Sequence, residues 1–271
     1  MTNQDWLASF QEISRLVGEA TRGLAGTEAA REEHSIGAGG DRTVEIDRLA
    51  EATAIKQLEL LHHRGANFSL LSEEIGLRDF GAPYPLVMLD PIDGSINAKQ
   101  GLPVFGAMLS LLEGPLVGDV AVGHVRNLVS GESWDAVRGS GALHDGARLK
   151  PLTISDPTRI EVVGLESGPG NVFEARPLIE HAQKLRILGS MALSIAHTAS
   201  GGIDVHCSTM RARIFDMTAS ILMVEEVGGV VTDMRGNSLA GLQAGLDSRT
   251  TLLCSADPRL HSLAARLLLD R

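Results

Sequence analysis

The sequence predicts an α/β fold, an α+β layered sandwich with alternating helix and sheet layers, from three observations. Apolar residues recur at helical spacing near the start, short apolar runs bounded by Gly, Pro and Asp occupy the middle, and strand-like and helix-like segments alternate from about residue 151. Trp6, Phe10, Ile13, Val17 and Leu24, with charges between them, read as an amphipathic opening helix. Ile46, Leu49, Ala50, Ile55, Leu58 and Leu61 predict a second helix from near Asp47 to before Gly65, with Gly37 to Gly40 as a loop between the two. Leu86 to Leu89 follows Pro83 and Pro85 and ends at Asp90, as a buried strand would that delivers a carboxylate at its end. Phe105 to Leu112 and Leu116 to Val125 flank the turn residues Glu113, Gly114 and Pro115 and read as paired strands.

Beyond Pro151, strands are expected over Ile160 to Leu165, Leu185 to Leu188, Ile203 to Cys207 and Val230 to Thr232. Helices are expected over Arg176 to Leu185, Ser190 to Ser200 and Asp216 to Val227, the last two closed by glycine pairs. The 271 residues suit one large domain or two small ones. A soft boundary near residue 150 separates an α+β part, 1–150, from an α/β part, 151–271.

Composition narrows the function. Hydrophobic residues at 44% and charged residues at 21% exclude disorder as a whole-chain description. The apolar runs fall short of the roughly 20 residues that span a bilayer. Met1 to Phe10 carries Asp5 and no basic or apolar leader pattern, so no secretory signal is expected. Two cysteines, Cys207 and Cys254, allow no disulfide framework and read as core residues of a cytoplasmic protein. A formal charge of −10 with 3% aromatic residues argues against nucleic acid as a partner. An anionic substrate would then need a metal ion or a local arginine cluster to hold it.

The most informative segment is Asp90-Pro91-Ile92-Asp93-Gly94-Ser95-Ile96-Asn97. Two carboxylates follow a buried strand, Pro91 stiffens the turn, and Gly94 permits close backbone approach before a helix that opens near Ser95. Oxygen ligands for a hard cation thus stand beside N–H donors for a phosphate. Upstream, Leu70-Leu71-Ser72 runs into Glu73-Glu74. Downstream, Phe215-Asp216 opens a helix that ends at Gly228-Gly229.

Together these segments resemble the inositol monophosphatase family, part of the magnesium-dependent, lithium-sensitive sugar phosphatase superfamily that includes fructose-1,6-bisphosphatases. Asp90 to Asn97 is similar to its Asp-Pro-Ile-Asp-Gly-Thr/Ser signature, Ser72-Glu73-Glu74 to its upstream acidic motif, and Phe215-Asp216 with Gly228-Gly229 to its C-terminal signature. Gly40-Asp41-Arg42-Thr43 through Asp47 is similar to the region of its first aspartate. The matches run in order from about residue 37 to 235.

The resemblance implies Glu73, Asp90, the Ile92 carbonyl, Asp93 and Asp216 as ligands of two or three Mg²⁺ ions, all hard oxygen donors suited to that metal. It implies in-line attack on phosphorus by a metal-activated water that Ser95, hydrogen-bonded to Asp47, orients, with Glu73 and Asp47 in the catalytic group. Gly94 and Ser95 would hold phosphate, and Gly189, Ser190 and Met191 would touch the substrate ring. It also implies a homodimer. On local evidence alone, Asp47 could as readily cap a helix and Asp216 complement a helix dipole.

Several positions depart from the animal-type inositol phosphatases. Ser95 stands for the commoner Thr, Phe215 for Trp, and the aromatic after Asn97 is missing. Between Asp204 and Asp216 there is no glutamate where inositol-specific members place one, but Arg211 and Arg213 are present. That approach to Asp216 looks closer to archaeal dual inositol/fructose-bisphosphate phosphatases, with an arginine free to meet a second phosphate or serving as a counter-charge. The expected reaction is hydrolysis of inositol 1-phosphate or a related sugar phosphate. Fructose 1,6-bisphosphate is the near alternative, adenosine 3′,5′-bisphosphate a distant one, and a silent sugar-phosphate binding protein the alternative of another class.

Overall fold

The structure is a computed structural model that describes residues 1–38, 40 and 42–269. Asp41, within the Gly40 to Thr43 stretch, lies outside the described residues. The opening helix α1 (Asn3–Thr21) buries Trp6, Phe10, Ile13 and Val17, and Thr2 caps it, accepting from the Asp5 N–H at 3.2 Å while Asp5 accepts from the Thr2 N–H at 2.7 Å. A two-stranded ribbon, β1 (Glu33–Ile36) and β2 (Arg42–Val44), leads into α2 (Glu45–His63).

A seven-stranded sheet follows in chain order: β3 (Phe68–Ser72), β4 (Gly76–Asp93), β5 (Gly106–Leu112), β6 (Val120–Asn127), β7 (Ser133–Val137), β8 (Gly141–His144) and β9 (Ala147–Arg148). The short helix α3 (Ser95–Gln100) sits between β4 and β5. In β4, Leu86 and Met88 enter one core and Val87 and Leu89 the other, as the two-residue period of a strand requires. Both faces of this sheet are therefore covered. Helices α1 and α2 cover one face, and the other meets residues from α5 (Met191–Ala199) and α6 (Thr218–Glu226).

A second sheet of five strands packs on the far side of α5 and α6. Its order is β11 (Lys184–Arg186), β10 (Val162–Glu166), β12 (Val205–Arg213), β14 (Arg249–Ser255) and β13 (Val230–Thr232), with β11, β10 and β12 parallel. Helices α4 (Arg176–His181) and α7 (Pro258–Leu269) close the outer face through Leu178, Leu260, Ala264 and Leu268. Helix pairs and sheets thus alternate in layers. Cys207 and Cys254 are buried and outside any disulfide, and no described helix is long and apolar enough to cross a membrane.

Some boundaries differ from expectation for local reasons. Asp119 accepts from the Leu116 N–H at 2.9 Å and closes a 3₁₀ turn over Val117–Asp119, so the strand expected from Leu116 begins at Val120. The helix expected to reach Leu185 ends at His181, because Lys184 already pairs with Val162. The strand expected to stop at Cys207 continues to Arg213, carried by pairing with β14 up to Arg249. A 3₁₀ turn, Ile214–Met217, holds Asp216 before α6 starts.

One buried polar chain ties α1 to the first sheet. Ser14 Oγ and His124 Nε2 are 2.6 Å apart, His124 Nδ1 and Asp135 Oδ1 are 2.6 Å apart, and Gln11 Nε2 donates to Asp135 Oδ2 at 2.9 Å. The three residues Ser14, His124 and Asp135 are buried. Without access to substrate, this series is a tether that satisfies polar groups inside a core.

The layers approach closely at Gly123 of β6, where a Cβ would lie 2.7 Å from the Ala219 carbonyl oxygen and 2.9 Å from its Cα in α6. Backbone cannot yield as a side chain can. Gly123→Ala is expected to lower stability by about 1–3 kcal/mol in urea unfolding, and an unchanged midpoint would contradict this packing.

Candidate active site

Asp90 and Asp93 are three residues apart, so a regular strand would send them to opposite faces. The strand is not regular there. Asp90 pairs with Met108 and Asp93 with Gly106, leaving one extra residue in β4, a bulge that turns both carboxylates toward one cavity. Asp90 Oδ1 accepts from the Ile92 N–H at 3.1 Å, which folds the Pro91 turn tightly. Gly94 then adopts φ +93°, and a Cβ on it would lie 2.9 Å from the Gly189 carbonyl oxygen, so the loops after β4 and β11 touch backbone to backbone.

Asp93 faces the start of α5. It accepts from the Met191 and Ala192 N–H groups at 3.1 and 2.9 Å and from the Ser190 hydroxyl, while Ser190 Oγ also accepts from the Leu193 N–H and caps the helix. Ser190, expected against the substrate ring, is thus buried behind Asp93; Gly189 and Met191 do line a cavity. Arg213 spans two acids. Its Nη2 lies 2.6 Å from Glu73 Oε1, and its Nε is 3.1 Å from both oxygens of Asp216. Arg213 is therefore a counter-charge inside the acidic group.

These residues surround two adjoining hollows. The first, about 320 Å³, is lined by Asp47, Glu73, Glu74, Asp90, Ile92, Asp93, Gly94 and Ser95, with Lys99 and Arg213. The second, about 300 Å³, is lined by Asp93, Asp216, Gly189, Met191, Arg211 and Arg213, with Glu166, Met210 and Arg249. Asp93 and Arg213 belong to both. Arg211 Nη2 donates to the Arg249 carbonyl at 3.0 Å at the edge of the second hollow.

The electrostatics of the group are strained. Burial, then the charges of Glu73, Asp93 and Asp216, raises the Asp90 carboxyl well above the ordinary carboxylate range. Asp93 is pushed up to about 6, chiefly by burial and against its three hydrogen bonds. Asp216 rises to about 7 by burial, although Arg213 pulls it down. Burial opposes the Arg213 charge, but Asp216, Glu73 and Asp90 hold it protonated beyond the usual guanidinium value.

One expected contact is not formed. Ser95 and Asp47 share a cavity, but there is no hydrogen bond between them: Asp47, in the first turn of α2, turns one oxygen back to the Val44 N–H at 3.4 Å, and its buried Oδ1 has no partner. Glu74 accepts from the Thr43 hydroxyl and joins the cavity wall.

Several side chains at the site escaped the sequence reading, Met210 and Arg249 of the second hollow among them. Glu51 is buried and accepts from the Ser72 hydroxyl and the Ile75 N–H at 3.2 Å, holding the turn that presents Glu73; its place four residues after Asp47 on one helix face was the available signal. Lys99 and Glu166 left no such pattern. Elsewhere, Glu132, His144 and Asp145 bring ligand atoms within 4.8 Å of one another across the β7–β8 hairpin, a grouping that linear histidine spacing does not reveal.

Comparison with known proteins gives the family. The profile of the inositol monophosphatase family covers residues 3–270. The chain belongs to the inositol monophosphatase family. It is a phosphatase, a phosphoric monoester hydrolase. It is 32% identical, over 94% of both chains, to a fructose-1,6-bisphosphatase/inositol-1-monophosphatase of Methanothermobacter thermautotrophicus. It is 28% identical to a bifunctional NADP phosphatase/NAD kinase of Methanococcus maripaludis, over 93% of this chain and 47% of that one. Among solved structures, a Thermotoga maritima IMPase superposes with a TM-score of 0.78 at 26% identity, covering 98% of this chain and 97% of that one.

The Asp47 carboxyl is pushed up to about 7, by burial first and then by Glu74 and Glu73. Its folded value lies above its unfolded one, so its ionisation destabilises the protein as pH rises from about 4 through 7. Asp47→Asn is therefore expected to raise the melting temperature of metal-free protein at pH 8, with the gain vanishing by about pH 4. A variant less stable than the parent at both pH values would contradict this assignment.

Proposed function

We propose that this protein hydrolyses a phosphomonoester of a small polyol or sugar in a Mg²⁺-dependent reaction, with inositol 1-phosphate the first candidate and fructose 1,6-bisphosphate close behind. The observation that carries it is the convergence of Glu73, Asp90, Asp93 and Asp216 around one pair of hollows, where burial first, and then neighbouring negative charge, lifts the Asp90, Asp93 and Asp216 carboxyls. The donor set fits divalent cations: all its ligands are hard oxygens, and a buried Asp47 oxygen stands beside them without a partner. Glu73, Asp90, the Ile92 carbonyl, Asp93 and Asp216 would hold two or three Mg²⁺ ions. Such ions supply activation of water and neutralise charge on the attacking and leaving oxygens.

The chain's own groups do the rest. Ser95 lines the first hollow, where its hydroxyl would hold the attacking water, and the Asp47 carboxyl on the same hollow would take the proton. Backbone N–H groups of Gly94 and Ser95 orient phosphate oxygens. Arg213 fixes Glu73 and Asp216 relative to each other. Residues 1–150 thus supply most ligands, and residues 151–271 supply Asp216 and the substrate side.

Arg211 and Arg249 line the second hollow and favour a second reading, a substrate with a second anionic group such as a sugar bisphosphate. Residence in a reducing cytoplasm accords with two buried cysteines outside any disulfide, and a homodimer with exposed Ile36, Ile75 and Leu77.

With Mg²⁺ and a panel of inositol 1-phosphate, fructose 1,6-bisphosphate and p-nitrophenyl phosphate, phosphate release is expected from at least one. Asp93→Asn should lower it by about a hundredfold or more, and Ser95→Ala should lower kcat more than it raises KM. Absence of turnover across the panel would favour a silent binding protein.

A further inference from the structure

We propose that Glu132, His144 and Asp145 form a second cation site, separate from the acidic group, that takes a borderline first-row divalent ion such as Zn²⁺ in preference to Mg²⁺.

None of the three residues lines either hollow around Asp93. They meet at the open end of the β7–β8 hairpin, where Trp134 pairs with His144 and Glu132 stands just before β7. Glu132 Oε1 lies 2.7 Å from His144 Nε2, and Asp145 Oδ2 lies 3.9 Å from the same nitrogen. One ligand atom from each residue is within 4.8 Å of the other two. That is close to the spread that bonds of about 2.0–2.2 Å to one ion allow. A histidine–glutamate ion pair alone would account for the shorter contact but not for the third donor.

The donors are already aimed. Trp134 is fully buried, and the His144 ring lies flat on it, with centroids 4.7 Å apart and planes 4° from parallel, so stacking fixes the imidazole. Asp145 Oδ1 accepts from the Ser133 N–H at 2.8 Å, which orients the carboxylate and leaves Oδ2 to the group. The Asp145 N–H donates to the Ser133 carbonyl, also at 2.8 Å, and ties the two strands together at this point. Supports of this kind around a ligand set hold it in place for an ion. A second imidazole stands beside the group. His197, in the last turn of α5, meets the edge of Trp134 at 4.8 Å, feels the charges of Glu132 and His144, and its half-buried ring makes no hydrogen bond among the described residues.

Donor type chooses the ion. The acidic group around Asp93 offers oxygen alone, which suits Mg²⁺. Here imidazole nitrogen joins two carboxylates, a mixture that suits Zn²⁺, Ni²⁺ or Cu²⁺. The ion takes the place of the proton on His144 Nε2, and the ring keeps its proton on Nδ1. Half-buried Glu132 and His144 and exposed Asp145 leave the site open to ions from solvent.

The test titrates Ni²⁺ into protein saturated with Mg²⁺ and follows tryptophan fluorescence, which a nearby Ni²⁺ quenches. Of the two tryptophans, Trp134 touches His144, whereas Trp6 lies in the core under α1. Saturable quenching is expected in the parent, reversed by Zn²⁺ and not by further Mg²⁺. His144→Gln and Asp145→Asn should each raise the Ni²⁺ concentration for half-quenching by about tenfold or more. Asp145→Asn keeps an oxygen for the Ser133 N–H and leaves the His144 stack untouched, so it tests ion binding apart from packing. Asp93→Asn, which alters the acidic group alone, should quench as the parent does. No quenching in the parent, quenching reversed by Mg²⁺, quenching unchanged in either hairpin variant, or quenching lost in Asp93→Asn would each overturn the proposal.

Discussion

The organising constraint is repulsion among buried carboxylates. Asp90 and Asp93 are nearly without solvent contact, Asp216 and Glu73 lie close by, and Arg213 is the cation paired with two of them. Ionised together in a poorly solvated pocket, such groups destabilise the chain. A fold that nonetheless brings them together has a compensating use for negative charge. The layered architecture exists in the form it does because four separate chain segments must meet there: the turn after β3, the bulged end of β4, the loop after β11 that starts α5, and the 3₁₀ turn before α6.

Each segment is held by ordinary packing away from the charge. Val87 and Leu89 anchor β4 in the core with α1 and α2, while Leu86 and Met88 anchor it in the core with α5 and α6. Rigid layers on both sides fix the strand end, and the bulge spends that rigidity on aim. Asp93 gains three hydrogen bonds from α5, so the same carboxylate that belongs to the acidic group also locks the two sheets' loops together. Position of charge and stability of the interface are therefore coupled through one side chain.

Much of this was legible in the sequence. Helical periodicity from Trp6 to Val17 gave α1, and the octapeptide from Asp90 to Asn97 identified the carboxylates through its likeness to the family signature, since Asp, Pro and Gly after an apolar run are also ordinary turn residues. Ends of elements were less legible. Asp119 closing a 3₁₀ turn and the pairing of β14 with the far half of β12 are tertiary choices that periodicity does not encode. The partner of Asp47 was misjudged for a similar reason: the family resemblance suggests a hydroxyl contact, whereas the first turn of α2 draws the carboxylate toward Val44. Glu166 was invisible because a lone glutamate ending a strand carries no pattern until the sheet places it beside Gly189 and Arg211.

The most direct measurement is the melting temperature of metal-free protein titrated with Mg²⁺ at pH 7.5, beside Asp90→Asn. A cation that binds the folded acidic group and not the unfolded chain must stabilise it as its concentration rises. The expected result is a melting temperature that climbs with Mg²⁺ in the parent and stays nearly flat in the variant. A parent indifferent to Mg²⁺, or a variant stabilised just as much, would contradict the claim that these carboxylates converge to hold divalent ions.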